Sequence, residues 1–194
     1  MHEDVERVLI AEEVIGKRLD FIARQIQEDF AEEKTLQVVA ILKGALVFMA
    51  DLLRRVPLKL EIECINVASY HGGTESSGQV DFLDRKLPEV SGRCVLLLDD
   101  ILDTGRTLAA VSERLRAMGA REVKTCVLLT KDKQRAAEVE ADYSAFAIGD
   151  EFVVGYGLDY DGKYRNLPFV GVLKPEVIGS RIVRATAREG REFL

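Results

Sequence analysis

The sequence is poor in the residues on which metal-rich and disulfide-rich proteins depend. It holds two histidines and three cysteines among 194 residues. Two histidines exclude a histidine-rich zinc site and argue against a Ser-His-Asp triad. Cys64, Cys94 and Cys126 are widely spaced inside apolar runs, in neither a zinc nor a thioredoxin pattern. We therefore interpret them as small buried hydrophobic residues of a protein in a reducing compartment.

Long apolar runs and an excess of positive charge are missing as well. No run approaches the ~20 apolar residues that span a bilayer, and the acidic segment 1–4 lacks the apolar region of a signal peptide. The net charge of −6 opposes broad binding to nucleic acid. We expect a cytoplasmic protein whose partners are small molecules rather than nucleic acid or a membrane. Acidic residues interrupt the arginines of the tail, residues 179–194, which indicates a solvated surface.

The pattern of apolar residues predicts a single α/β domain over residues 1–194. Continuous apolar runs of strand length alternate with segments of helical spacing, which is typical of a mainly parallel, twisted sheet flanked by helices. No internal repeat or proline-rich linker divides the chain. Helices are predicted near residues 15–30, 46–56, 108–118 and 135–139, and strands near 36–42, 59–69, 80–87, 93–99, 123–130 and 143–148.

The most informative segment runs from Val95 to Leu108. Four apolar residues lead into Asp99 and Asp100, and Asp103 is followed by the sequence Thr-Gly-Arg-Thr and a helical pattern. In open α/β sheets, ligands bind at the C-terminal ends of the strands. Hydroxyls and free backbone N–H groups at a helix start suit a phosphate. An ordinary strand-turn-helix with solvated acids is the plainer interpretation, but the whole string favours a site for a sugar phosphate and a cation.

Other phosphate-binding motifs are not found. No Gly-x-x-x-x-Gly-Lys-Ser/Thr sequence occurs, so the segment is not a Walker loop. Gly155-x-Gly157 lacks the third glycine of a dinucleotide fingerprint and does not open a helix.

The acidic segment resembles the signature of type I phosphoribosyltransferases, in which two acids precede Asp-Thr-Gly-x-Thr. Four more segments, in matching order within residues 5–178, resemble the hypoxanthine-guanine branch of that family: the pyrophosphate loop Leu42–Ala45, the start of a flexible loop at Ala68–Tyr70, the purine-reading strand Leu128–Lys131, and the base-stacking and metal-binding segment Phe152–Tyr160 with Tyr164–Pro168. One departure is Asp99, where that branch more often has Glu. Because Asp is one methylene shorter, a contact there is expected to pass through water.

The resemblance implies a reaction and a site. A purine nitrogen attacks the anomeric carbon of phosphoribosyl pyrophosphate and pyrophosphate leaves, with Mg²⁺ as cofactor and hypoxanthine or guanine as the acceptor in purine salvage. It also implies a core over residues of about 5–150, a small hood mainly from about 151–178 together with the N-terminal segment, and a homo-oligomer, either a dimer or a tetramer.

Residue roles follow from the same resemblance. Asp103 is the candidate general base. The phosphoribosyl donor is expected to contact Lys43, Gly44, Ser69, Tyr70, Asp99, Asp100, Asp103, Thr104, Gly105, Arg106, Thr107 and Arg165. The purine is expected to contact Lys131, Phe152, Val153 and Asp159, and the metal Asp99, Asp100 and Asp159. The flexible loop is expected to close over the reaction, and the Leu42–Lys43 peptide is hypothesised to be cis in some states.

Two alternatives stay open at this point. The first is a phosphoribosyltransferase specific for xanthine, for guanine or for a pyrimidine. The second is a regulator with the same fold that binds RNA or a nucleotide effector. The acidic net charge and the presence of Asp103, Lys131 and Asp159 together favour an enzyme, and a panel of bases separates the possibilities.

Overall fold

The computed structural model describes residues 2–69, 80–85, 87–133 and 136–179. Within them the elements in chain order are β1 (Val5–Ile10), α1 (Glu12–Asp29), β2 (Leu36–Leu42), α2 (Leu46–Leu53), β3 (Leu60–Ser69), β4 (Val80–Phe82), β5 (Cys94–Leu102), α3 (Arg106–Ala117), β6 (Glu122–Lys131), β7 (Tyr143–Ile148), β8 (Val153–Val154) and β9 (Val170–Leu173). None of the helices in these ranges is long and apolar enough to cross a membrane.

The larger sheet has six strands in the order β4-β3-β2-β5-β6-β7. All neighbours pair in parallel except β4, which is antiparallel to β3 at one edge. Alternate strand residues point to opposite faces: Val38 and Leu96 pack with α1 and α2, whereas Val39 and Leu97 pack with α3. Burial on both faces explains why the strands are continuous apolar runs. The predicted fold class, a mainly parallel sheet flanked by helices, is confirmed.

The second sheet is small and antiparallel, with strand order β1-β9-β8. It joins the N-terminal segment to residues that follow the larger sheet in the chain. The sequence pattern did not predict β1, because only Ile10 among its six residues is fully buried. The boundaries of a core and a hood stay a prediction.

Three details of the sequence analysis are wrong. Residues 136–139, the described part of the helix predicted over 135–139, are not helical. The N–H groups of Ala136 and Ala137 instead donate to the carbonyl of Thr104. Cys64 is exposed, whereas Cys94 and Cys126 are buried as expected. The predicted strand 80–87 is shorter in the structure: β4 pairs with β3 at Val67–Ser69, and Leu83 and Asp84 after it bond to Asn66.

Candidate active site

A cleft of about 280 Å³ opens at the C-terminal edge of the larger sheet. Strand order brings the ends of β2 and β5 side by side at this edge. The predicted site residues that line the cleft are Gly44, Asp99, Asp100, Asp103, Thr104, Gly105, Thr107, Asp159 and Arg165. The rest of its wall is apolar and comes mainly from the same strand ends. Three segments that are far apart in sequence therefore meet in one cleft.

Two adjacent carboxylates, Asp99 and Asp100, lie in the cleft wall. Asp99 is buried near the end of β5, and the backbone N–H of Asp100 donates to its Oδ1 at 2.9 Å. Burial, followed by the nearby charge of Asp100, raises the pKa of Asp99 well above its ordinary value. Burial also raises the pKa of Asp100. Neighbouring buried carboxylates that resist ionisation are favourable partners for a cation, which would offset both effects.

The donor set fits magnesium bound jointly with a diphosphate. No group of three or more His, Cys, Asp or Glu side chains in the described ranges is arranged to hold a metal by protein ligands alone. Magnesium usually takes one or two carboxylates together with substrate phosphates and keeps several waters. Asp99, Asp100 and Asp159 all line the cleft and supply the hard oxygens that this ion prefers.

The loop from Asp103 to Thr107 leads from β5 into the first turn of α3. Gly105 caps the helix with φ +80°, and a Cβ on it would lie 2.7 Å from Cγ1 of Val139 and 3.1 Å from the carbonyl of Ala137. Only glycine fits there without strain. The first N–H groups of a helix have no partner within the helix, so they and the Thr107 hydroxyl give this end of the cleft the donors that a phosphate needs.

Gly44 is held between two other parts of the site. The Leu42–Lys43 peptide before it is cis, as the resemblance implied. A Cβ on Gly44 would overlap the carboxylate of Asp100, with Oδ1 at 3.0 Å and Oδ2 closer still. Gly157, with φ +102°, sits against the carbonyl of Gly44, and a Cβ on it would overlap that oxygen. The close approach of these three residues requires glycine at both positions.

Asp159 and Arg165 form an ion pair in the wall of the cleft. Nη2 of Arg165 lies 2.7 Å from Oδ1 of Asp159, and its Nη1 donates to the carbonyl of Gly157 at 2.6 Å. Oδ2 of Asp159 accepts from the N–H of Gly162 at 2.7 Å. The arginine is thus held at the cleft by two partners, with a planar guanidinium suited to phosphate oxygens.

A cluster of two lysines and two acids lies beside the cleft. Nζ of Lys131 lies 3.1 Å from Oδ1 of Asp150 and 3.8 Å from Oδ2 of Asp103. Nζ of Lys133 lies 2.5 Å from Oδ1 of Asp103 and 3.1 Å from Oδ1 of Asp150. The sequence analysis missed Lys133 and Asp150. The available signal was a second lysine two residues after the lysine that ends β6, and an acid just past β7.

The other predicted residues lie outside the cleft wall. Lys43 and Arg106 are exposed, and Lys131 does not line the cleft but lies 3.8 Å from Asp103, which does. Phe152 is 44% exposed and meets the ring of Tyr160 edge to face at 5.5 Å, while Val153 is buried in β8. The side chain of Ser69 and all of Tyr70 lie outside the described residues.

Comparison with known proteins agrees with this architecture. The phosphoribosyl transferase domain family matches residues 7–161. The chain belongs to this family. Among phosphoribosyltransferases, it is 44% identical over 177 residues to the hypoxanthine-guanine phosphoribosyltransferase of Staphylococcus aureus (strain N315), covering 91% of this chain and 98% of that one. It is also 44% identical to the bifunctional protein TilS/HprT of Listeria monocytogenes, but spans only 27% of that longer protein's length.

Solved structures of phosphoribosyltransferases share the fold. A hypoxanthine phosphoribosyltransferase from Staphylococcus aureus superposes with a TM-score of 0.86 at 44% identity, covering 91% of this chain and 96% of that one. The enzyme from Trypanosoma cruzi in complex with the product IMP superposes with a TM-score of 0.84 at 36% identity, covering 91% and 98%. The type I phosphoribosyltransferase fold expected from the sequence is therefore confirmed.

Proposed function

We propose that this phosphoribosyltransferase acts in purine salvage. It transfers the 5-phosphoribosyl group from phosphoribosyl pyrophosphate to hypoxanthine, and to guanine, giving IMP or GMP and pyrophosphate. The observation that carries the proposal is the convergence on one cleft of a phosphate-binding helix start, a buried pair of carboxylates and Asp103, with Lys131 directly behind Asp103. The names and the IMP complex of the similar proteins support the same acceptor.

The phosphoribosyl donor binds across the cleft in this proposal. Its 5-phosphate accepts hydrogen bonds from the N–H groups and hydroxyls of the loop from Thr104 to Thr107. Its pyrophosphate lies near Gly44 and Arg165, which lie close together because Arg165 bonds to the carbonyl of Gly157 and Gly157 packs on Gly44. The side chains of Lys43 and Arg106 reach the donor only by turning in from the surface. Roles for Ser69 and Tyr70 stay predictions from the sequence.

Asp99, Asp100 and Asp159 would hold the magnesium ion. When bound, the ion neutralises charge on the pyrophosphate as it leaves. Asp99 and Asp100 also face the ribose hydroxyls. Because Asp159 is anchored by Arg165 and Gly162, it keeps one side of the cleft fixed while the leaving group departs.

The purine lies at the end of the cleft that Asp103 and Lys131 share. Asp103 accepts the proton that the imidazole ring loses as its nitrogen bonds to the anomeric carbon, which requires the carboxylate within hydrogen-bond reach. Lys131 donates to the exocyclic oxygen of a 6-oxopurine and offers no acceptor to the amino group of adenine. Phe152 stacks on the base by turning its exposed ring, and the backbone of Val153 reads the base edge.

The test is turnover by the purified protein with phosphoribosyl pyrophosphate and Mg²⁺ against hypoxanthine, guanine, xanthine, adenine and uracil. Turnover of hypoxanthine, with or without guanine, and none of adenine is expected. Turnover of xanthine or uracil alone would contradict the proposed acceptor. Binding of the donor without turnover of any base would favour a regulator instead. A homo-oligomer, as dimer or tetramer, and a cytoplasmic location stay predictions.

A further inference from the structure

Lys133 and Asp150 are the two members of the lysine–acid cluster that neither the sequence analysis nor the proposed reaction uses, and only Lys133 contacts Asp103. Its ammonium lies 2.5 Å from Oδ1 of Asp103, closer than Lys131 lies to Oδ2, at 3.8 Å. Oδ1 is buried and accepts no well-aligned hydrogen bond from the described residues, so the contact is an ion pair. Among the described residues, Lys131 and Lys133 form ion pairs with Asp103, the candidate base.

The strand register explains why Lys133 lies there. Lys131 pairs with Ile148 between β6 and β7, and the N–H of Asp132 donates to the carbonyl of Ile148 at 2.8 Å. Lys133 and Asp150 each come two residues after that pair, and their side chains meet at 3.1 Å. Asp150 then accepts from both lysines at 3.1 Å. The ammonium of Lys133 is thus fixed from one side by Asp150 and points to Asp103 on the other.

We propose that Lys133, anchored by Asp150, is a positioning residue that holds the carboxylate of Asp103 at the purine end of the cleft. The inference rests on the proposed function, in which Asp103 takes the purine proton. Asp103 follows β5 in a loop. The backbone of the next residue, Thr104, is fixed because the N–H groups of Ala136 and Ala137 donate to its carbonyl. The Asp103 side chain is 39% exposed and needs a restraint of its own. Lys131 cannot supply that restraint while it donates to the purine.

The first experiment separates positioning from binding. Lys133→Gln removes the charge, and we expect kcat with hypoxanthine to fall about tenfold, which is part of the 10²–10⁴ that a placed general base supplies. The KM for phosphoribosyl pyrophosphate should stay within about twofold, because Lys133 does not line the cleft. Lys133→Arg keeps a charged donor and should restore kcat to within about twofold of the wild type. Lys34→Gln removes an exposed lysine at the opposite edge of the sheet and should change nothing.

The second experiment asks whether Lys133 acts through Asp103. In an Asp103→Asn background the carboxylate is gone, so Lys133→Gln should cause no further loss of kcat. An equal loss in both backgrounds, or an unchanged kcat in Lys133→Gln alone, would overturn the proposal. Thermal melting of each variant identifies any that does not fold, and if Lys133→Gln does not fold, the titration of Lys133 in wild type and Asp103→Asn carries the test.

A spectroscopic measurement keeps this inference distinct from the proposed function. Contact with Asp103, and then with Asp150, raises the pKa of Lys133. In lysine labelled with ¹³C at Cε, the resonance of Lys133 should therefore titrate at lower pH in Asp103→Asn than in the wild type. A pKa that does not move refutes the contact itself. If the wild type turns over no base while this pKa falls, the contact is right and the proposed function is wrong.

Discussion

Replacing Gly44 by alanine tests the close packing of the cleft. The new Cβ would overlap the Asp100 carboxylate, whose Oδ1 would lie at 3.0 Å and whose Oδ2 would lie closer, whereas ordinary contact begins at 3.4 Å. Oδ2 must therefore move by about 1 Å or more, and a shift of about 1 Å at a catalytic site costs about 10²-fold in rate. We expect kcat/KM for phosphoribosyl pyrophosphate to fall about 10²-fold, equivalent to about 2.7 kcal/mol.

The assay is steady-state turnover with a saturating purine and varied phosphoribosyl pyrophosphate. Gly16→Ala is the matched control. Gly16 lies on helix α1, and a Cβ there would meet only Nη2 of Arg55, at the ordinary contact distance of 3.6 Å. Alanine also favours a helix over glycine by about 1 kcal/mol, so that variant should be active and no less stable. A Gly44→Ala enzyme with kcat/KM within about threefold of the wild type would refute the reasoning. Turnover would then not depend on the position of the Asp100 carboxylate in this structure.

Three other outcomes follow from the contacts described. Asp103→Asn should lower kcat by about 10²–10⁴ while leaving the dissociation constant of phosphoribosyl pyrophosphate, measured by calorimetry, nearly unchanged; equal losses of both would indicate a structural role. Lys131→Ala should narrow the ratio of kcat/KM for hypoxanthine to that for adenine, and an unchanged ratio would remove Lys131 from the purine site. Hydrogen bonds from Lys124 and then Tyr143 hold the pKa of Asp29 below its ordinary value of 3.8, so the stabilisation they give is present above that pH and is lost as pH falls through the lowered pKa. Asp29→Asn should therefore lower the melting temperature at pH 7 by less than the equivalent of about 1 kcal/mol, because solvent screens a side chain that is 42% exposed. The difference from the wild type should be smaller at pH 3, and a difference that is constant with pH would contradict this.

The main sheet and the cleft could be predicted from the sequence because both depend on local patterns. Buried parallel strands read as continuous apolar runs, and the strand Leu36–Leu42 is observed with the predicted bounds. The acids at the end of β5 stand out for the same reason, since charged residues directly after an apolar run are unusual. A prediction from the family resemblance then named Gly44, Asp159 and Arg165, which the structure brings to the same cleft.

What the sequence analysis missed depends on pairing between distant segments. The strand β1 has mostly exposed side chains, so no apolar period marks it, and only its pairing with β9 makes it a strand. Lys133 and Asp150 read as ordinary surface charges in the sequence, and their contact at 3.1 Å is seen only once β6 and β7 are paired in the fold. The helix predicted over 135–139 is not observed in residues 136–139, because the N–H groups of Ala136 and Ala137 donate to the carbonyl of Thr104 instead.

These hydrogen bonds to Thr104 limit the insertions that the loop after β6 can accept. Loops after strands are where insertions and deletions are usually accepted. Here residues 136–139, after β6, contact the loop between β5 and α3. They donate two hydrogen bonds to the Thr104 carbonyl, and Val139 packs closely against Gly105. One residue added between Ala137 and Val139 would keep every residue that lines the cleft and still shift the start of α3, where we propose that the 5-phosphate binds. The length of the loop after β6 is therefore constrained together with the loop between β5 and α3 that it supports.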